Sequence, residues 1–187
     1  MRTPQSLTKG DTIAIAAPAR KISREELQFS IKIIEERGYK VRVDEAVFNS
    51  FNQFSGTDDE RINHFQSLLD DNNVKAILCA RGGYGVMRII DHLNFTKFIE
   101  NPKWIIGYSD ATVLHCHLHQ KLQVESLHAS MPINFENNTS AALQSLFNAI
   151  HGKSLNFLIE PHPLNCNGLC QGLLVGGNLS ILYSLAG

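Results

Sequence analysis

Short apolar runs alternate along the chain with segments of helical periodicity, and this alternation limits the fold more than any other feature. The apolar runs lie at residues 12–18, 39–43, 74–80, 104–107 and 124–128. The first is apolar from residue 13 onward, which is typical of a strand that is buried on both faces. Strands that alternate with helices predict an α/β fold with a doubly wound, mostly parallel sheet.

Helices are predicted between these runs, and several have recognisable ends. Ser23 is a preferred helix N-cap and is followed by acidic residues, and Thr57 is followed three residues later by Glu60, which is the capping-box pattern at a helix start. Gly38 and Gly152 are placed to end helices. Further helical pieces are predicted at residues 86–93, 95–99, 110–121, 139–151 and 179–185. The expected architecture has three layers and is flavodoxin-like or amidotransferase-like.

The composition of the sequence changes after Pro161. A linker rich in Pro, Asn and Gly leads to a new glycine-rich segment and one more helical pattern. We therefore predict an N-terminal α/β domain over residues 1–161, followed over residues 162–187 by a linker and the start of a second domain. So short a unit cannot close its own core, so we expect the natural protein to continue.

Composition excludes several kinds of partner. Lys and Arg total 17 and Asp and Glu total 18, so no basic field attracts nucleic acid or an anionic membrane. No apolar run approaches the roughly 20 residues of a membrane helix, and no signal peptide is evident. Four dispersed cysteines indicate a reduced, cytoplasmic protein. A small molecule or a peptide is the expected partner.

Ser109 is the leading candidate for a reactive residue. It follows the apolar run at residues 104–107 and precedes a helical pattern, so a tight strand-to-helix elbow should expose its hydroxyl. The N-terminus of the helix would stabilise negative charge there. The match to G-x-S-x-G is partial, because Ala111 replaces the second Gly. The local pattern favours a nucleophile and a helix N-cap about equally.

A glycine-rich turn at residues 81–85 follows another predicted strand. Gly82 and Gly83 permit close backbone approaches, and their amides could face an oxyanion. Arg81 and Tyr84 are candidates for substrate contacts. A tight strand-to-helix turn explains the motif nearly as well. The spacing matches neither a dinucleotide fingerprint nor a phosphate-binding loop, which disfavours a nucleotide site and an NAD-dependent oxidoreductase.

Histidines supply weaker candidates. His115 and His119 have the i,i+4 spacing of a shared metal site, but no acidic ligand accompanies them, and helix packing is the default interpretation. We predict neither a metal nor a cofactor. His128 ends a predicted strand and is expected to contact substrate or to be structural, rather than to serve as the general base.

Five segments occur together in one order, at residues 9–18, 81–85, 107–110, 128–131 and 176–179. Jointly they resemble the LD-carboxypeptidase family of serine peptidases, which includes muramoyltetrapeptide carboxypeptidases and microcin-immunity peptidases. The resemblance implies a Ser-Glu-His triad with Ser109 as nucleophile, and an oxyanion hole from the amides of Asp110 and the Gly82–Gly83 turn. Arg81, Tyr84, His128 and Asn178 would lie near the substrate.

The family resemblance also implies the reaction. A terminal D-amino acid would be removed from an L-centre, as in the recycling of murein tetrapeptides, by a cytoplasmic enzyme without a cofactor that often forms dimers. The family's Glu and His lie beyond the Gly-Gly-Asn segment and have no matching positions here, so we expect little activity from the 187-residue chain itself. The alternatives are a hydrolase of microcin-like peptides or acyl-adenylates, and a non-catalytic ligand-binding module.

Overall fold

Five parallel strands form a sheet in the computed structural model, which describes residues 1–166 and 168–186. The strands are β1 (Thr12–Ala16), β2 (Lys40–Arg42), β3 (Val74–Cys79), β4 (Trp104–Gly107) and β5 (Leu127–His128). Their order is β2-β1-β3-β4-β5, and every neighbouring pair is parallel. The prediction of a doubly wound α/β fold is confirmed, and the order is the flavodoxin-like one.

The helices within the described residues connect and cover these strands. They are α1 (Arg24–Glu36), α2 (Asp58–Asp70), α3 (Val86–Ile89), α4 (Thr96–Glu100), α5 (Thr112–His117), α6 (Ser140–Ile150) and α7 (Leu179–Leu185). Short 3-10 turns lie at Glu45–Phe48, Ile90–His92, Ser109–Ala111 and Pro132–Asn137, and a π turn lies at Leu118–Leu122.

Successive residues of each strand enter different cores, because side chains of a strand alternate between the faces of a sheet. Ala14 and Ala16 pack in a cluster with Phe65 of α2 and Phe98 of α4. Ile13 and Ile15 pack in a second cluster, whose members include Leu27 and Ile34 of α1 and Phe147 of α6. Both faces of the sheet are therefore covered, which leaves its carboxyl edge as the place where ligands bind in such folds.

The N-cap predicted at Ser23 and the capping box predicted at Thr57 are confirmed, and Ser23 also forms a capping box. Ser23 accepts a hydrogen bond from the Glu26 amide, and the Glu26 carboxylate accepts one from the Ser23 amide. Thr57 and Glu60 make the same reciprocal pair at the start of α2. These caps satisfy amides that a helix start leaves without partners, and so they fix where α1 and α2 begin.

The helix predicted over residues 110–121 is confirmed, but its helix type changes along its length. A 3-10 turn leads into the six residues of α5, and a π turn follows and is capped by Gln123 with a φ of +54°. The last predicted strand is also shorter than residues 124–128, because Val124 forms an isolated bridge with Arg2 and only two residues pair with β4. The extended pattern at residues 124–128 is therefore divided between two pairings.

The described residues between α6 and α7 form neither helix nor strand, and they leave large apolar side chains in solvent. Leu158, Leu169 and Leu174 are fully exposed. Ile181 of α7 returns to pack against the core cluster that contains α5 residues. Within the described part of the chain, no helix combines the length and the apolar character needed to cross a membrane.

Candidate active site

Ser109 lies in the elbow between β4 and α5 with a φ of +59°, a conformation that L-residues seldom adopt. Among the described residues it makes no capping hydrogen bond: the residue before α5 is Ala111, and the residue before the 3-10 turn is Tyr108. The N-cap alternative for Ser109 therefore has no support in the structure. A strained, half-buried serine between a strand and a helix has the geometry of a nucleophile elbow.

The partial match to G-x-S-x-G has a packing explanation. A Cβ atom on Gly107 would lie 3.0 Å from the Cβ atoms of both Ala111 and Cys79, which is closer than ordinary contact. The elbow therefore needs glycine at its first position, where β4 meets β3 and the following turn. At the last position of the motif, the small Ala111 side chain is buried and accommodated.

The glycine-rich turn lies directly against Ser109. A Cβ atom on Gly82 would lie 3.0 Å from Ser109 Cβ and 3.1 Å from Ser109 Oγ. Gly83, with a φ of +122°, has a backbone conformation that favours glycine. Two segments more than twenty residues apart in sequence thus meet at one sheet edge. In residues 1–166 and 168–186, neither the Gly83 amide nor the Asp110 amide donates to another turn or loop.

The Asp110 side chain ties the elbow to the glycine-rich turn. It is buried, and its Oδ2 atom accepts a hydrogen bond of 2.9 Å from the Val86 amide at the start of α3. Burial raises the pKa of this carboxyl above its ordinary value, although the Val86 bond and the Arg61 charge oppose that shift. The residue next to Ser109 is therefore held by its side chain, which orients its own amide.

Arg61 was missed by the sequence analysis. It is 2% exposed, and its Nη1 atom donates to the carbonyls of Pro18 at 2.6 Å and Gly85 at 3.0 Å. Nη2 pairs with Asp58 one turn earlier in α2. Arg61 thus joins the loop after β1 to the loop after β3. Its i,i+3 spacing from Asp58 is the sole sequence signal, and that spacing is equally typical of a surface pair.

Two further candidates of the glycine-rich turn point in different directions. The Arg81 guanidinium donates to the Lys21 carbonyl at 3.2 Å and lies 3.4 Å from the Glu26 carboxylate, so it is engaged by the start of α1. Tyr84 is 50% exposed, and its ring centroid lies 6.4 Å from that of Phe54. Tyr84 therefore presents an aromatic surface beside the turn, whereas Arg81 already has protein partners.

His115 is a buried structural residue. Nε2 lies 2.9 Å from the Gly107 carbonyl, so it carries the proton, and Nδ1 accepts from the Ser126 hydroxyl at 2.8 Å. Burial lowers the pKa of His115, which favours this neutral ring. Because both ring nitrogens are used, the metal pair with His119 is not formed. His128 is exposed at the end of β5, and its ring centroid lies 6.0 Å from that of His115.

The Gly-Gly-Asn segment reaches the start of α5. The Asn178 amide donates to Thr112 Oγ1 at 3.0 Å, and a Cβ atom on Gly177 would lie 2.7 Å from the same oxygen. The Asn178 side chain accepts from the Ile181 amide and so caps α7. Asn178 therefore contacts Thr112, which follows Ser109 by three positions in the sequence. The side-chain oxygen of Asn178 is used in the cap of α7.

The chain is similar in sequence to a known protein family and to several of its members. Residues 13–129 match the model of the LD-carboxypeptidase N-terminal domain. The chain is 35% identical over 193 residues to a probable murein peptide carboxypeptidase of Bacillus subtilis, a match that covers 98% of this chain and 59% of that protein. It is 29% identical over 118 residues to the microcin C7 self-immunity protein MccF of Escherichia coli, covering 62% of this chain and 34% of that protein.

The fold has solved counterparts. MccF in complex with aspartyl sulfamoyl adenosine superposes with a TM-score of 0.84 at 21% identity, over 98% of this chain and 65% of that one. The chain spans about three fifths of the length of several curated relatives that it matches. The matched domain and the Bacillus relative together establish that this chain belongs to the LD-carboxypeptidase family.

Proposed function

We propose that this chain supplies the nucleophile domain of a serine carboxypeptidase that cleaves the L-D peptide bond to the terminal D-amino acid of murein tetrapeptides. The observation that carries the proposal is the conformation of Ser109, strained at a strand-to-helix elbow and packed against Gly82. The family membership supports peptide hydrolysis, and the name of the Bacillus relative supports a murein peptide as substrate.

The chemistry follows from the position of Ser109 between two backbone segments. The Oγ atom attacks the carbonyl carbon of the L-residue, and the carbonyl oxygen becomes an oxyanion. The Gly83 and Asp110 amides donate to this oxyanion, a type of contact that lowers barriers of acyl transfer by several kcal/mol, about 3 for one donor. The C–N bond then breaks, the D-amino acid leaves with a proton on its amine, and water hydrolyses the acyl-serine.

The general base is the part that the described residues do not supply. No side chain in residues 1–166 and 168–186 forms a hydrogen bond with Ser109 Oγ, and His115 is already committed to Gly107 and Ser126. A serine hydroxyl is a weak nucleophile until a base takes its proton. We therefore propose that the family's Glu and His complete the triad from outside these 187 residues, and that the chain alone has little peptidase activity.

Two measurements test the proposal on the complete gene product. A fluorophosphonate probe should label Ser109, and murein tetrapeptide should release its terminal D-alanine. Ser109→Ala should abolish both signals, whereas Ser126→Ala leaves Ser109 in place and should retain labelling. Robust D-alanine release by the 187-residue chain alone would refute the missing base and direct attention to His128. Absent labelling of the complete product would favour the ligand-binding module.

A second candidate substrate is an aminoacyl adenylate or a microcin-like peptide. The relationship to a microcin C7 self-immunity protein favours it, and the fold agrees with that of MccF. Competition separates the two candidates, because a true aminoacyl-adenylate site should bind aspartyl sulfamoyl adenosine well below the concentration at which it binds murein tetrapeptide. The reverse order of affinities would leave the murein substrate as the better proposal.

A further inference from the structure

Arg20 lies in the loop after β1, at the same sheet edge as Ser109. Its backbone is fixed by pairing with the segment around Phe54, to which it forms an antiparallel bridge. The residues on either side take part, since the Ser55 amide donates to the Ala19 carbonyl and the Lys21 amide donates to the Gln53 carbonyl, both at 3.1 Å. The position of Arg20 is therefore set by the fold, although its side chain is exposed.

The Arg20 side chain lies across Gly83. A Cβ atom on Gly83 would lie 2.3 Å from both Cγ and Cδ of Arg20, so the aliphatic part of the arginine occupies the space that a side chain would need. Gly82 in turn contacts Ser109. Consecutive Cα atoms are about 3.8 Å apart. The aliphatic part of Arg20 and the Ser109 side chain thus pack against adjacent glycines of one turn.

The Arg20 guanidinium has no protein acceptor among the residues that the structure describes. Each of the other seven arginines donates to a carboxylate or to a backbone carbonyl. The neighbours at this edge are paired, Arg81 with Glu26 and Arg88 with Asp58. An exposed guanidinium whose aliphatic stem packs over the glycine-rich turn, and which has no carboxylate partner among the described residues, is available to bind an anionic group of a ligand.

We propose that Arg20 is a specificity residue that binds the free α-carboxylate of the terminal amino acid removed by Ser109. The inference rests on the proposed function, because it takes Ser109 as the attacking group. In a peptide, the terminal carboxylate carbon is three bonds from the scissile carbonyl carbon, within about 4 Å. A group that binds this carboxylate therefore has to lie beside the oxyanion turn, which is where Arg20 lies.

Binding of a terminal carboxylate by Arg20 would make the site selective for the C-terminal end of a peptide. A planar guanidinium can donate two parallel hydrogen bonds to one carboxylate, which carries the opposite charge. An internal peptide bond or a terminal amide is neutral and cannot form this charge-assisted pair. Binding at Arg20 would thus fix the terminal residue and place the preceding carbonyl at Ser109. The ligand class is a peptide with a free C-terminal carboxylate.

Equilibrium binding tests this without turnover. Calorimetry on the Ser109→Ala protein uses two probes, N-acetyl-L-lysyl-D-alanine and the same dipeptide with a C-terminal amide. The acid should bind about 10-fold or more tightly than the amide, as expected for a charge-assisted pair. Arg20→Gln should abolish the preference and Arg20→Lys should retain part of it. Lys21→Gln removes the adjacent exposed cation and should leave the preference intact.

The outcomes separate this proposal from the proposed function. Equal affinity for acid and amide, no binding of either probe, or a preference that survives Arg20→Gln would overturn the role of Arg20. Failure of the proposed function looks different: Ser109 would resist fluorophosphonate and no D-alanine would be released, while the carboxylate preference and its loss in Arg20→Gln persist.

Discussion

At the scale of single residues, the backbone of Ser109 carries a measurable cost. A non-glycine residue held in a sparsely populated backbone conformation destabilises the folded state by about 1–3 kcal/mol. Ser109→Gly relieves the strain and Ser109→Ala does not, so the glycine variant should be more stable than the alanine variant by about 1 kcal/mol after the entropy of the unfolded glycine is subtracted. Urea unfolding of both variants measures the difference.

A helical serine supplies the control for this comparison. Ser145 lies inside α6, where glycine is about 1 kcal/mol less favourable than alanine. At Ser145, the alanine variant should therefore be more stable than the glycine variant, the reverse of the order expected at Ser109. If alanine is the more stable substitution at Ser109 as well, the elbow is not strained in solution.

The buried position of His115 leads us to expect that the stability of the protein depends on pH. Burial lowers its pKa below the ordinary 6.5, so the folded state binds fewer protons than the unfolded state as the pH falls below that value. The free energy of unfolding should therefore decrease as the pH falls from about 6.5, and part of this loss comes from His115. The pKa values of His64 and His117 are lowered in the same direction by burial.

The variant His115→Gln isolates that contribution. Glutamine keeps a donor for the Gly107 carbonyl but does not titrate, so the stability difference between pH 7.5 and pH 5 should become smaller. The exposed His162 provides the comparison, since His162→Gln should leave the difference as it is. An unchanged pH profile in His115→Gln would mean that the ring is not held neutral in the folded protein.

At the scale of elements, much of the fold can be read from local patterns. β1 and β3 are buried on both faces and therefore appear as apolar runs, and two capping boxes mark the starts of α1 and α2. The changes of helix type after Ser109 could not be read in this way. The Gly107 carbonyl lies 2.9 Å from His115 Nε2 across the elbow, a contact that depends on how the chain turns from β4 into α5.

The position of α2 depends on one buried arginine that no local pattern reveals. Arg61→Ala leaves the Pro18 carbonyl without its side-chain donor, and the Gly85 carbonyl keeps only the Arg88 amide. We expect a loss of about 3 kcal/mol in the free energy of unfolding. Arg88→Ala is the matched control, because Arg88 is exposed and binds the same Asp58. That change should cost less than about 1 kcal/mol. Equal losses would show that Arg61 acts only through Asp58.

At the scale of the whole molecule, the strand order brings the candidate site together. β1, β3 and β4 are neighbours in the sheet, so the loops that carry Arg20, Gly83 and Ser109 meet at its carboxyl edge. The sequence pattern predicts parallel strands but not this order, because pairing depends on which runs pack side by side. The proximity of Gly82 to Ser109 was implied by the family resemblance. That the Arg20 guanidinium has no protein acceptor in the described part of the chain could be seen only in three dimensions.

The described residues between α6 and α7 leave apolar side chains in solvent. Leu158, Leu169 and Leu174 are each fully exposed, and exposed apolar surface of this kind favours association. Replacing all three with serine should reduce self-association in sedimentation velocity runs of the 187-residue chain. The urea midpoint should stay the same, because these side chains lose no buried area. Leu68 is 0% exposed in α2, and Leu68→Ser should instead lower the midpoint strongly. A lower midpoint in the triple variant would mean that the three leucines are packed in solution.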